Sequence, residues 1–340
     1  MLPELCRHLG MTVPIIQAPM NWATDARLVA AVSAAGGLGT LGPNAGLRRP
    51  IRDPAAVSRH FADQIGRIRA LTDRPFAFNV PIAKDTGEVF SDVMANVAIE
   101  QQVPVAIVVS GGPAVYTDRF KKAGIFVIHA VSSVLHARKA EAAGVDAVVA
   151  EAFEAGGHSG HAELSMSVLV PQIVDAVRIP VIAAGGIVDG RGLVMGLAAG
   201  AQAVYMGTRF MAAIESPIDD RVKAAIVAAN DTATMSWGRQ IGVARTLANA
   251  FTRHIRTLEV EGASPETLFG AINDYSAHVN RRVGGLIEGD LEQGEIYLGA
   301  GAGMIDRLAS AADIIETTMA QARAIIAGLA SLAETNGPTG

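Results

Sequence analysis

One pattern constrains this chain more than any other: short runs of apolar, mostly β-branched residues alternate again and again with Ala-rich stretches of helical spacing. The runs predict strands at Pro14–Met20, Leu38–Gly42, Phe76–Val80, Ala106–Ser110, Phe126–Val131, Ala147–Glu151, Val181–Ala184 and Ala203–Met206. Between them fall helical patterns such as Asp25–Ala35, Ala55–Leu71, Pro113–Ala123, Ser133–Ala143, Val168–Val177 and Arg191–Ala199. Most runs are continuously apolar, as in a parallel sheet covered on both faces. Gly36-Gly37, Gly124, Gly144 and Gly200 follow helical runs, where a left-handed cap is wanted. Eight strands in strict alternation with helices predict an α/β fold, a (β/α)8 TIM barrel. An open doubly wound sheet shows the same alternation, but the count of eight and the Gly-rich strand ends late in the series favour closure.

About 130 residues follow Phe210, far more than one closing helix needs. Arg239–Glu261 and Pro265–Arg282 read as helical, Gly284-Gly285 and Gly289–Gly303 break the pattern, and an amphipathic helix is expected from Met304 to Ala330. Residues 1–235 with 304–332 are therefore assigned to the barrel. Residues 236–303 are assigned to a helical extension that either covers its mouth or forms a contact between two copies. Glu334–Gly340 reads as a frayed end.

Composition narrows the function classes. No segment reaches the roughly 18 uninterrupted apolar residues a membrane span requires, although mean hydropathy is +0.31. The first ten residues, MLPELCRHLG, lack the layout of a secretory signal. With Cys6 as the sole cysteine no internal disulfide can form. A net charge of -5 without a Lys/Arg cluster argues against nucleic acid as partner. A cytoplasmic protein acting on a small molecule is the expectation.

Barrels of this kind carry their sites at the C-terminal strand ends. Those ends are rich in glycine and poor in charge, which suits a large planar ligand bearing a phosphate. The clearest pair is Ala183-Ala184-Gly185-Gly186-Ile187 after the seventh strand and Met206-Gly207-Thr208-Arg209 after the eighth. Glycines let backbone amides approach a phosphate, and these two loops are the usual phosphate site of such barrels. After the sixth strand comes Glu151-Ala-Phe-Glu-Ala-Gly156-Gly157-His158-Ser-Gly160. A histidine between glycines has little to pack on, and its ordinary pKa suits proton transfer. The spacing of His158 and His161 offers no third metal ligand, so no metal is expected. Asn79 either meets the edge of a heterocycle or caps a turn, and Met20 packs on a ring or on the core. His129 ends the fifth strand as packing or as a functional group. Trp22 and Trp237 are read as core, and Arg209 as half of a structural ion pair.

These motifs resemble those of the nitronate monooxygenase (2-nitropropane dioxygenase-like) superfamily of FMN enzymes. The likeness runs through Pro14-Ile-Ile-Gln-Ala-Pro-Met20, Gly36-Gly-Leu-Gly39, Phe78-Asn-Val80, Glu154-Ala-Gly-Gly-His158, Ala183-Ala-Gly-Gly-Ile187, Asp189-Gly-Arg191 and Met206-Gly-Thr-Arg-Phe210. It implies FMN, with the phosphate at Gly185, Gly186, Gly207 and Thr208 and the ring near Ala18, Met20 and Asn79. Glu151 would lie by the ring or ribityl chain. Gly156, Gly157, Ala184 and Met206 complete the implied cofactor set, and His158 matches the family's active-site histidine. The resemblance implies oxidation of alkyl nitronates with O2 to carbonyl compounds and nitrite. Related branches are NAD(P)H-dependent FMN reductases of enoyl thioesters or quinones. Two features depart from the bacterial nitronate monooxygenase pattern. The fourth strand ends Val-Val-Ser-Gly-Gly rather than in a His-Phe-Gly type sequence, and the Gly-rich C-terminal part is more like the reductase branch. The intact Glu-Ala-Gly-Gly-His run differs from the Cys-Ala-Gly-His of the quinone reductases.

Overall fold

A computed structural model of the chain describes residues 2–82, 88–274 and 280–334. Strands β1 (Ile15–Gln17), β2 (Gly39–Leu41), β3 (Phe76–Pro81), β4 (Val105–Val109), β5 (Phe126–Val131), β6 (Ala147–Glu151), β8 (Val181–Ala184) and β9 (Ala203–Met206) form one parallel sheet. Its order is β1-β9-β8-β6-β5-β4-β3-β2. The ends meet: the Gln17 amide donates to the Leu38 carbonyl at 2.9 Å and the Leu38 amide to Ile15 at 3.0 Å. The sheet is thus a TIM barrel, with strands at or within a few residues of the predicted spans.

Alternation along each strand sorts residues to two sides. Ile16, Ala77, Ile107, Ile128, Val149 and Ile182 fill the barrel, and Leu5 and Cys6 of α1 (Glu4–His8) pack against them. Burial pushes the Cys6 thiol up to about 12, so it stays protonated. The opposite faces pack on a ring of helices: α2 (Ala26–Ala34), α3 (Pro54–Leu71), α4 (Glu88–Glu100), α5 (Ala114–Lys122), α6 (Val134–Ala142), α7 (Met166–Ala176) and α8 (Gly190–Ala198). α4 lies where the sequence pattern delimits no helix. Asp25, Asp53, Ser133 and Asp189 cap α2, α3, α6 and α8 with side-chain oxygens, which explains why these helices start where they do. The long α14 (Ala311–Glu334) packs on α8 and α2 and completes the ring. It begins later than the expected Met304, because Ala300–Met304 is a separate 3-10 turn.

The extension departs most from expectation. Instead of one helix over Arg239–Glu261, the chain forms β10 (Thr234–Trp237) and β11 (Ala244–Leu247), then α11 (Ala250–Val260). The two strands pair antiparallel, with Trp237 opposite Ala244. Gly238 and Gly242, at φ 81 and 124, make the reversal that a helix cannot. Trp237 anchors the hairpin, packing edge-on against Phe251 at 5.5 Å while its indole N–H donates to Thr246 Oγ1 at 3.0 Å. β11 also pairs with a two-residue strand from the loop after β6, β7 (Gly157–His158). Of the span Pro265–Arg282, α12 (Pro265–Asn273) is helical, residues 275–279 lie outside the described residues, and Arg281 already belongs to α13 (Arg281–Leu286). Gly284-Gly285 does not break that helix. A Cβ on Gly285 would lie 2.7 Å from the Ile296 side chain, so glycine is what lets the following chain pack on α13. Of the end read as frayed, 335–340 lie outside the described residues. Among the described residues no helix is long and apolar enough to cross a membrane.

Candidate active site

The C-terminal strand ends surround a cavity of about 710 Å³, within the usual range for ligand sites. Ala18, Met20, Asn79, Glu151 and Ala184 line it, as do Gly156, Gly157, His158, Gly185, Gly186, Gly207 and Thr208. Met206 does not. Its side chain is buried between sheet and helices, because the neighbours Tyr205 and Gly207 face the cavity and the strand alternates. Met206 meets the site only through its carbonyl, which accepts from the Ala18 amide at 2.9 Å.

One wall is backbone. Gly185 and Gly186 sit at φ 115 and 66, a conformation that side chains strain to adopt. A Cβ on Gly185 would come 3.0 Å from Ala152 Cβ. Among the described residues no acceptor bonds to the amides of Gly185, Gly186 or Gly207, so these donors are free for a ligand. Thr208 is less free, since its Oγ1 accepts from the Gly299 amide at 2.9 Å. An anion with several oxygens fits this wall.

The floor carries unpaired polar groups. Asn79 Nδ2 donates to the Ile107 carbonyl at 2.9 Å, which fixes the amide. Tyr205, inward-facing on β9, has a buried hydroxyl without a hydrogen-bond partner. Glu151 stands two strands away at the same level, with Ala184 between them in register. Burial raises the Glu151 carboxyl to about 7, although its edge is open to the cavity. Burial, with Glu151 nearby, also pushes Tyr205 well above its ordinary value. A carboxyl raised in the fold stabilises it fully below its unfolded pKa, 4.5, and that stability is lost as pH rises through about 7. Denaturant unfolding of the ligand-free protein should therefore lose roughly 2 kcal/mol between pH 5 and pH 8, and Glu151→Gln should flatten that slope. An unchanged slope would remove the enclosed carboxyl.

His158 faces this floor from above, held by more than a glycine loop. It pairs with Ala244 across the β7–β11 ladder, and the next amide, Ser159, donates to Val243 at 2.9 Å. Its ring meets Tyr297 edge-on at 5.8 Å and 73°. Behind Tyr297, Arg282 lies 5.1 Å over the aromatic face and bonds Glu295 at 3.0 Å. The Tyr297 hydroxyl sits near both without a well-formed bond to either. The ring of His158 is open to solvent on its cavity side, yet enclosure by these walls lowers its pKa, and Arg282 lowers it further against a smaller opposing pull from Glu295. At neutral pH it is an uncharged imidazole able to take a proton. Glu154, by contrast, caps α7 through the Met166 amide at 3.1 Å. His161 joins no cluster of three metal-ligating side chains among the described residues.

Tyr205, Tyr297 and Arg282 escape the sequence reading. Tyr205 sits inside an apolar run, and Tyr297 and Arg282 lie more than a hundred residues beyond His158 with no local motif. His129 is 3% exposed with Nδ1 unpartnered, and because its neighbours Ile128 and Ala130 face the barrel, its side chain turns toward the helices. Burial lowers its pKa to about 4, with His136 adding to the effect. Trp22 and Trp237 are core, each 2% exposed. Arg209 does not form the expected ion pair among the described residues; it donates to the Arg307 carbonyl at 3.1 Å.

A sequence model of the family "Nitronate monooxygenase" matches residues 3–321. A probable nitronate monooxygenase of Staphylococcus aureus is 34% identical over 77% of this chain and 82% of its own length. A (3aS,4S,5R,7aS)-5-hydroxy-7a-methyl-1-oxo-octahydro-1H-indene-4-carboxyl-CoA dehydrogenase of Mycobacterium tuberculosis is 32% identical, covering 94% of this chain and 95% of its own. Among solved structures, FabK from Thermotoga maritima superposes with a TM-score of 0.85 at 35% identity, covering 98% of this chain and 99% of that one. Nitroalkane oxidase from Streptomyces ansochromogenes gives 0.78 at 27% identity, covering 96% of this chain and 99% of that one.

Proposed function

The chain belongs to the nitronate monooxygenase family, a group of oxidoreductases, and on that premise we propose that it is an FMN-dependent nitronate monooxygenase. In this reading it oxidises alkyl nitronates with O2 to carbonyl compounds and nitrite. The observation that carries it is the uncharged His158, pinned by backbone pairing and turned to the cavity. An imidazole in that state removes a proton from the carbon beside a nitro group, or hydrogen-bonds the nitro oxygens once the anion has formed.

The cavity suits FMN in its donors and its volume. The free amides of Gly185, Gly186 and Gly207 would hold the phosphate, and Ala18, Met20 and Asn79 would border the ring. Glu151 and Tyr205 supply polar contacts at the floor. FMN bound there would accept the substrate's electrons and pass them to O2. Residues 236–303 act in this reading as a cover, because Arg282, Tyr297, Gly299 and Gly301 contribute to the cavity lining.

A second reading, an NAD(P)H-dependent reductase of enoyl thioesters, draws support from one observation. The carboxyl-CoA dehydrogenase relative aligns over more of the chain than the S. aureus relative does. There His158 would deliver a proton instead of taking one. Anaerobic titration of the yellow protein separates the two. Ethyl nitronate alone should bleach the flavin band, and rapid bleaching by NADH or NADPH with none by the nitronate would overturn the first reading.

A further inference from the structure

A charged pair stands behind the His158 ring, where two apolar side chains of the same shape would pack as well. Arg282 of α13 donates to Glu295 from Nε at 3.0 Å and from a terminal nitrogen at 3.5 Å, and Glu295 is buried. Such a pair is a weak source of stability, because the cost of taking both charges out of water offsets their attraction. Its placement points to another use. Tyr297 lies between the pair and the imidazole, with Arg282 5.1 Å over its ring and the His158 ring set against it at 73°. A Cβ on Gly157 would lie 3.8 Å from the Tyr297 ring, so that ring rests on the backbone beside His158. The segment carrying Glu295 and Tyr297 is tied on two sides. The Leu247 amide donates to the Ile296 carbonyl at 2.8 Å, and the Glu295 amide to the Arg281 carbonyl at 3.1 Å. Tyr297 brings no charge of its own, since burial, with Glu295 nearby, pushes its hydroxyl well above its ordinary value. The other charged groups on elements packed against His158 are matched elsewhere. Arg245 of β11 stacks on Phe153 at 4.8 Å with Glu154 and Glu163 near it, and Arg239 in the hairpin turn bonds Glu163 at 2.6 Å. Across the cavity, burial raises Glu151 to about 7. Arg282 is the cation that bears on the imidazole.

We propose that Arg282, pinned by Glu295 and faced by Tyr297, is a positioning residue for His158: its fixed positive charge opposes a second one on the imidazole, so the ring meets its substrate without a proton. The proposal deepens the reading of His158 as the group that moves the substrate's proton, and rests on it. Two like charges in a partly enclosed site repel more strongly than they do in water. Arg282 and Glu295 then act on the imidazole with opposite signs, Arg282 against its charged form and Glu295 for it. Packing has no such sign. If the pair only held this wall in place, losing either half would loosen the wall, admit water and move the ring up toward its ordinary 6.5.

The test is an NMR titration of the His158 ring in the flavin-loaded protein without substrate, its resonance being the one missing from His158→Asn. The titration midpoint should rise in Arg282→Met and fall in Glu295→Gln. It should stay near the wild-type value in Arg282→Lys, which keeps the charge but not the planar fork. That split in sign is what a merely structural pair cannot produce. No upward shift in Arg282→Met, no downward shift in Glu295→Gln, or a Lys variant that follows the Met variant overturns the proposal. Gln differs little from Glu in shape and still accepts from Arg282, so Glu295→Gln decides the sign even where Arg282→Met fails to fold. The midpoint of the pH–rate profile on nitroethane should move in the same direction as the resonance in each variant. The titration needs no turnover, so its failure leaves the nitronate reading standing, while failed bleaching by ethyl nitronate leaves the coupling of Arg282 to His158 standing.

Discussion

Replacing His158 with Asn should lower kcat/KM for neutral nitroethane by about 10² to 10⁴-fold, while preformed ethyl nitronate should lose less than about tenfold. The difference follows from where the proton is. A neutral nitroalkane must give up its α-proton inside the cavity, and among the described groups lining it His158 is the uncharged base standing over the floor. The preformed anion has already lost that proton and asks the side chain only for a hydrogen bond, which Asn can still donate. The substitution should not unfold the loop, because its attachment is backbone: the Ala244 pairing and the Ser159 amide bond. The wild-type rate on nitroethane should also rise with pH and level off below the ordinary histidine value of 6.5, since the fold lowers this pKa. Equal losses on both substrates would remove proton abstraction and leave His158 a positioning role.

The strands and their glycine ends were legible because each is a local signal. Ala147–Glu151 is an apolar run wherever it is read, and Gly185-Gly186 announces a tight backbone turn. His158 was visible for the same reason, but what holds it was not. β7 is two residues long and gains its partner β11 only after about ninety residues of intervening chain. A strand that short has no periodicity to detect. The hairpin itself was hidden by helix-compatible residues around Arg239, and the buried Trp237–Phe251 contact outweighs that local preference. Met206 shows the reverse error: it belongs to the right motif, but strand alternation turns its side chain out of the cavity. Tyr205 was lost for the matching reason, since one hydroxyl in an apolar run does not say which way it points. The described structure therefore adds what sequence spacing cannot encode, namely which distant segments meet.

That meeting can be tested at a single position. Gly156→Ala should cut kcat/KM about 100-fold and lower unfolding stability by about 1–3 kcal/mol, with reduced flavin retention. A Cβ on Gly156 would lie 2.6 Å from the Leu298 carbonyl carbon and 2.7 Å from the Gly299 nitrogen, and backbone atoms cannot swing aside as a side chain can. The seam must open. Two bonds hold it shut, the Ala300 amide to the Glu154 carbonyl at 2.9 Å and the Gly299 amide to Thr208 Oγ1 at 2.9 Å. Opening strains both, and it moves the next two residues, Gly157 and His158, relative to the floor. A displacement near 1 Å is enough for a loss of that size in an oriented site. Gly156 does not occupy the left-handed region, so alanine fits its backbone and the cost is steric alone. The control is Gly66→Ala in α3, where nothing lies within 4 Å of the added carbon. That change should stabilise the protein by up to about 1 kcal/mol and leave turnover alone, as expected for alanine replacing a mid-helix glycine. If Gly156→Ala behaved like the control, with full activity and bound flavin, the packing of Leu298–Gly299 on the loop would not be what positions His158, and the hairpin pairing alone would have to do so.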